Sequence, residues 1–231
     1  MFRPYACLLA LMLLLASVTP LRAQTTRPTP TTLPALTEVQ ANPTIPTSKI
    51  ELFNGKDFTG WVSFPSADKD PIWKITDGVI ACSGRPNGYL RTETAYAQYK
   101  LTVEWRFTRA GNTGVLVHLT GPDRMGPWPT CIECQGLHLH QGDFWIWSGA
   151  KVNEPLKSRN GVIMKIPSAE KAVGEWNTYE VIAKDDTVTI IVNGTEMNKV
   201  TGANIRAGQV ALQCEGGAFE VRKVTIEPLT P

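Results

Sequence analysis

Long apolar runs, charge of one sign, histidine and helical periodicity are all scarce in this chain of 231 residues. Each scarcity excludes something. No apolar run approaches the ~20 residues of a transmembrane helix, so a polytopic membrane protein is excluded. Lys and Arg number 23 against 21 Asp and Glu, and this balance argues against nucleic acid, whose binding rests on many cations neutralising phosphates. The 19 glycines and 17 prolines follow no period, which excludes a collagen-like repeat, and a hydrophobic content of 42% excludes wholesale disorder. No segment longer than eight residues keeps a clean helical period. A neutral small molecule is the expected partner.

Residues 1–23 read as an export signal rather than as fold. Arg3 supplies a positive start, residues 6–16 an apolar stretch of eleven, and Ala23 a small residue before a cut. Cys7 lies at the start of the apolar stretch, where it is badly placed for lipid attachment at the cleavage point. Cleavage after Ala23 would leave a secreted or periplasmic chain without a transmembrane span. It would also remove Arg3, Arg22 and Cys7, leaving 21 basic against 21 acidic residues and four cysteines. Residues 24–48 hold eight Thr and five Pro among 25 positions and no aromatic ring. Such a composition cannot bury enough surface to offset the entropy of ordering it, so a disordered, proline-stiffened tether is expected. Residues 49–231 then form one domain of 183 residues, large enough for a single core.

Alternation with period two dominates that domain. In residues 100–108, Leu101, Val103, Trp105 and Phe107 share one face, and Lys100, Thr102, Glu104 and Arg106 the other. The pattern recurs in residues 115–119, 179–184, 187–192 and 209–215, with Asp185-Asp186 and Asn193-Gly194 as turns. Short strands at regular spacing indicate an antiparallel sandwich. In the last strand Phe219 and Val221 are out of phase with Val224 and Ile226. Either a bulge near Arg222 and Lys223 or a change in the covered face would reconcile them.

Polar chemistry concentrates in residues 112–147, which contain all three histidines (His118, His138, His140) with Glu133, Gln135, Asp143, Trp128, Trp145 and Trp147. As a strand, residues 130–135 point Cys131, Glu133 and Gln135 one way and Ile132 and Cys134 the other. A carboxylate and an amide on one open face suit reading sugar hydroxyls or moving a proton; a solvated outer face is the plain alternative. Cys131 and Cys134, on opposite faces, are poor disulfide partners, and the four cysteines left by cleavage allow three pairings. His118 shares the phase of Leu116, so it sits on the open face if the neighbouring valines face the core; otherwise it is structural. His138 and His140 are spaced to meet one metal, but surface or loop residues are the preferred reading. Trp145 and Trp147 share a face and, with Trp128, could stack on sugar rings, whereas Trp61, Trp73, Trp105 and Trp176 are assigned to the core.

The segments ELFNGKDFTGW (51–61), WKITDGVIAC (73–82), LTVEWRF (101–107), GNTGVLVHLTGPDRMGPWPTCIECQ (111–135), GDFW (142–145), EWNTYEVIAKDDTVTIIVNG (175–194) and GQVALQCEGGAFEVRKVTIEPL (208–229) resemble, in this order, the 3-keto-disaccharide hydrolase domain family. The resemblance implies an all-β, concanavalin-like jelly-roll sandwich of two antiparallel sheets and an exported enzyme that cleaves 3-keto-glycosides by elimination and hydration. A ketone at C3 acidifies the C2 proton, the C1 substituent leaves from the enolate, and water then adds to the enone. That path needs a base, a stabiliser for the enolate oxygen and a proton donor to the leaving group.

Matched onto this chain, Glu133 and His118 are candidates for proton transfer. Gln135, Glu104 and Arg106 would bind hydroxyls or stabilise charge, and Trp128, Trp145 and Trp147 would bind the sugar. One divalent cation held by His118 and Glu133 is the alternative stabiliser. His138 and His140 depart from the family pattern, as does Lys223, where the family usually shows Asn. A non-catalytic lectin-like module is the competing function, since this fold hosts both. A glucanase-like mechanism would need two carboxylates about 5–9.5 Å apart, with Glu104 and Glu133 the pair to measure. Convergence of Glu104, His118, Glu133 and Gln135 in one concave pocket is the deciding observation.

Overall fold

Where the sequence alternates, the chain is extended. A computed structural model describes residues 42–66, 72–124, 126, 128–157, 160–164 and 166–230. In chain order the strands are β1 (Ile50–Glu51), β2 (Trp61–Phe64), β3 (Trp73–Thr76), β4 (Val79–Cys82), β5 (Gly88–Tyr96), β6 (Tyr99–Phe107), β7 (Thr113–Thr120), β8 (Thr130–Gln135), β9 (Phe144–Trp147), β10 (Gly161–Val162), β11 (Asn177–Lys184), β12 (Thr187–Val192), β13 (Thr195–Val200), β14 (Gly208–Cys214) and β15 (Phe219–Pro228). One sheet has the order β13-β12-β11-β6-β15-β4-β3, with β1 added against β15; the other has β10-β9-β8-β7-β14-β5-β2. Every ladder between these strands is antiparallel. The chain passes from β5 in one sheet to β6 in the other and back to β7, so neighbours within a sheet are mostly distant in sequence.

The inward faces meet in one core. Leu101, Val103 and Trp105 of β6 and Val181 of β11 pack against Val115 and Val117 of β7, Ile132 and Cys134 of β8 and Leu212 of β14. On β15 the register with β6 slips between Val221 and Lys223, so of the two readings of the phase break the bulge holds. The slip returns Val224 and Ile226 to the core face alongside Phe219 and Val221. Cys82, Cys131, Cys134 and Cys214 are buried free thiols.

The sandwich begins earlier than the expected boundary at Lys49. Thr44 forms a bridge to Tyr96, its N–H donating to the Ala95 carbonyl at 2.8 Å while its own carbonyl accepts from Ala97, and Pro46 is buried. These backbone bonds turn the end of the Thr/Pro-rich segment into part of the domain. Residues 1–41, on which the expected export signal and most of the expected tether fall, lie outside the described residues. Among the described residues no helix is long and apolar enough to cross a membrane.

At the start of β5 the sheet edge tolerates no side chain. A Cβ on Gly88 would lie 2.2 Å from the Phe64 carbonyl oxygen and 2.8 Å from the Pro65 ring. Gly88→Ala is therefore expected to cost about 1–3 kcal/mol by forcing β2 away from β5, a loss that thermal unfolding would register as a lower Tm.

Candidate active site

The outward face of the seven-stranded sheet carries an unusual load of buried polar groups. Registry puts Glu133 on β8 between Leu116 on β7 and Trp145 on β9, and Cys131 beside Trp147. One step along, Gly114 on β7 lies between Gln135 on β8 and Gln213 on β14, with Tyr89 of β5 beyond. A second apolar cluster covers part of this face: Tyr89, Leu116, Leu119, Trp128, Cys131 and Ala211, flanked by Phe64 and Trp147. The connection after β7 folds back to make it. Trp128 meets Tyr89 edge-on at 6.0 Å, and Asp123 accepts two hydrogen bonds from Arg91 (2.9 and 2.8 Å) and one from the Tyr89 hydroxyl (2.7 Å).

Glu133 is the chemically distinctive group there. It is 1% exposed, yet it belongs to the outward face and not to the core between the sheets, because Ile132 and Cys134 take the inward positions. The Trp147 indole N–H donates to its Oε2 at 2.6 Å. Trp147 in turn stacks on Trp145, ring centres 6.3 Å apart and planes 20° apart, and both rings are half-buried. Burial, followed by repulsion from Glu215, pushes the Glu133 carboxyl up to about 8, against the opposing pull of Trp147 and Gln213. Glu215 is itself raised by burial, and the Asn112 amide donates to it at 2.8 Å. A carboxyl poised near neutrality can both take and return a proton.

The other expected site residues disperse. Gln135 shares the outward face, but its Oε1 is occupied by the N–H groups of Gly136 (2.8 Å) and Leu137 (2.9 Å), so that oxygen stabilises a turn. Trp128 is buried in the apolar cover and offers no open ring face. His118 corrects its expected placement. Pairing between β7 and β8 breaks between Val117 and Thr120, and His118 takes a φ of +53°, so the alternation flips. Leu119 goes outward, and His118 turns inward onto Tyr99. There its Nδ1–H donates to the Ile205 carbonyl at 3.0 Å, and burial pushes its pKa down to about 4. His118 and Glu133 therefore face opposite sides of one sheet and cannot share a cation. Among the described residues no three His, Cys, Asp or Glu side chains are grouped to hold a metal ion.

Glu104 and Arg106 are likewise not brought to the site, because β6 belongs to the other sheet and turns them to that sheet's outer surface. The β15 bulge places both Arg222 and Lys223 against Glu104, at 2.7 and 3.2 Å. Arg106 pairs with Glu220 at 2.7 Å, and the guanidinium groups of Arg106 and Arg222 each lie 4.6 Å from the Trp176 ring. Trp176, assigned to the core, instead holds this outer cluster together. The Glu104 and Glu133 pair of a glucanase-like mechanism is thereby removed. His138 and His140 are loop residues tied to Glu170 (2.5 Å) and Asp143 (3.2 Å).

Sequence reasoning missed Arg91, Asp123, Gln213 and Glu215. The signal for the last two was present: once Val210, Leu212 and Cys214 face inward, Gln209, Ala211, Gln213 and Glu215 must face out. A groove lies elsewhere, with a cavity of about 590 Å3 on the eight-stranded sheet lined by Lys49, Lys100, Lys184 and Glu227. None of the groups around Glu133 contributes to it.

Similar proteins share this architecture. A candidate glycosyl hydrolase from Parabacteroides distasonis superposes with a TM-score of 0.61 at 26% identity, over 79% of this chain and 94% of that one. A β-glucanase from Bacillus licheniformis superposes at 0.55 with 14% identity, over 80% and 99%, and a carbohydrate-binding module from Bacillus subtilis at 0.53 with 10% identity, over 73% and 95%. The last two likenesses speak to the fold alone, a concanavalin-like sandwich. A curated 3-keto-disaccharide hydrolase from Bacteroides thetaiotaomicron is 24% identical over 155 residues, 60% of this chain and 53% of that protein. The chain thus spans about half the length of the curated relative that it matches. Residues 48–227 match the 3-keto-alpha-glucoside-1,2-lyase-like domain, and the chain belongs to that family of carbohydrate-active proteins.

Proposed function

We propose that this protein is an exported enzyme that cleaves 3-keto-glycosides by elimination and hydration, with Glu133 as the proton-transfer group. The observation that carries the reading is a carboxyl held near pKa 8 under a pair of stacked tryptophans. In its ionised form Glu133 removes the C2 proton, which the C3 ketone has made acidic. As the C1–O bond breaks, the same carboxyl returns that proton to the departing oxygen. Water then adds across the enone. Trp145 and Trp147 offer apolar ring faces to the sugar. Because Trp147 holds Glu133, productive binding requires that indole to move off the carboxylate.

The test is release of nitrophenol from nitrophenyl 3-keto-glucosides of both anomers, with the parent glucosides as controls. Turnover confined to the keto compounds is expected. Saturable quenching of tryptophan fluorescence by sugars without any product would replace the enzyme with a binding module.

A further inference from the structure

We propose that Gln213 reads the substrate's ketone: its side-chain N–H donates to the C3 oxygen as negative charge collects there. This rests on the proposed 3-keto-glycoside reaction and adds the group that reaction still lacks, a stabiliser for the enolate. Gln213 is fully buried, and among the described residues its side chain is the one in which both polar atoms, Nε2 and Oε1, are buried without a hydrogen-bond partner. Buried amides are ordinarily satisfied, and leaving both ends open is costly. The backbone around it is well held, since the Thr113 hydroxyl donates to the Gln213 carbonyl at 2.6 Å. The open valence therefore belongs to the side chain alone.

The place it faces is the place Glu133 faces. Gly114 separates the two residues across β7 and has no side chain. A Cβ built there would lie 3.2 Å from Gln213 Oε1 and 3.5 Å from Glu133 Cγ, so both side chains lie against that one point. The Gln213 amide makes no hydrogen bond of good geometry with Glu133, yet it lies near enough to favour the ionised form, as a base awaiting substrate requires. When Glu133 takes the C2 proton, that attraction ends and the amide N–H is free to serve the new anion. The electrons of the C2–H bond form C2=C3, and those of the carbonyl go to the oxygen facing Gln213. They return as the C1–O bond breaks and the leaving oxygen takes the proton from Glu133. No co-reactant is needed until water adds.

Gln213→Met, which keeps length and removes the donor, tests this in the full chain. The expected result is a fall in kcat of about 10²–10³-fold on the keto-glucoside with little change in KM, and an upward shift of the limb of the pH profile that reports Glu133. A shifted limb with an unchanged plateau kcat would overturn the proposal and leave Gln213 as a positioning residue for Glu133. Gln213→Asn, which withdraws the amide by one carbon, should show the same loss and serves if the Met variant does not fold. Equilibrium binding separates this inference from the reaction it rests on. If the wild type turns nothing over yet prefers a 3-keto-sugar to its parent, and Gln213→Met abolishes that preference, ketone reading stands while the enzyme reading fails. No preference in the wild type overturns both.

Discussion

Glu133→Gln is expected to lower turnover of a 3-keto-glucoside by about 10²–10⁴-fold, the usual contribution of a positioned acid or base, while the protein stays folded. Gln matches Glu in shape and can still accept from the Trp147 indole, so the stack should survive. The same variant has a second signature, in stability against pH. In the wild type the Glu133 carboxyl titrates at about 8 when folded, against 4.5 for an unperturbed side chain. Between those values the unfolded chain has released a proton that the folded protein retains. The unfolded state then binds fewer protons, and stability falls as pH rises through that window. The loss amounts to roughly a few kcal/mol, complete above the folded pKa. Gln cannot ionise, so the variant should match the wild type near pH 4 and exceed it in Tm near pH 9. Unfolding scans across that range, paired with the nitrophenol assay, check both. Wild-type turnover in the variant would remove Glu133 from the reaction; a wild-type pH slope would remove the raised carboxyl.

Asp123→Ala should be the most destabilising single change on this face, by about 3 kcal/mol. The Arg91 side chain is only 5% exposed and depends on Asp123 for two hydrogen bonds. Stripping one partner from a buried pair leaves an uncompensated charge, typically a cost of about 3–5 kcal/mol, and the lower end applies because the Asp123 side chain is 21% exposed and water can enter. The Tyr89 hydroxyl loses its acceptor as well. Urea unfolding measures the change. A double variant, Arg91→Met with Asp123→Ala, should recover part of it, because the stranded guanidinium goes with its partner. A single variant within about 0.5 kcal/mol of the wild type, the range of an ordinary surface change, would show that Asp123 does not pin the β7–β8 connection over the sheet.

Strand identity was legible in residues because period two is a local property. Residues 130–135 and 187–192 are β8 and β12 to the residue, and the phase break around Arg222 is a bulge. The face of Glu133 was legible for the same reason. What local pattern could not carry was the partner of each face. Glu104 and Glu133 both alternate outward, and nothing in either strand says that β6 and β8 belong to opposite sheets. His118 shows a second limit: its parity is correct up to Val117 and is then inverted by an irregularity in pairing with β8, a strand that begins ten residues after β7 ends.

By itself, then, the sequence determined an all-β sandwich, the outward direction of Glu133, Trp145 and Trp147, and kinship with a sugar-cleaving family, since alternation and motif order are written along the chain. Tertiary structure alone decided that Glu133 is desolvated and raised toward 8, that Gln213 and Glu215 share its face, and that His118, Glu104 and Arg106 do not. Those outcomes depend on which strands pair and what covers them, and pairing between strands far apart in the chain is set by the whole core at once.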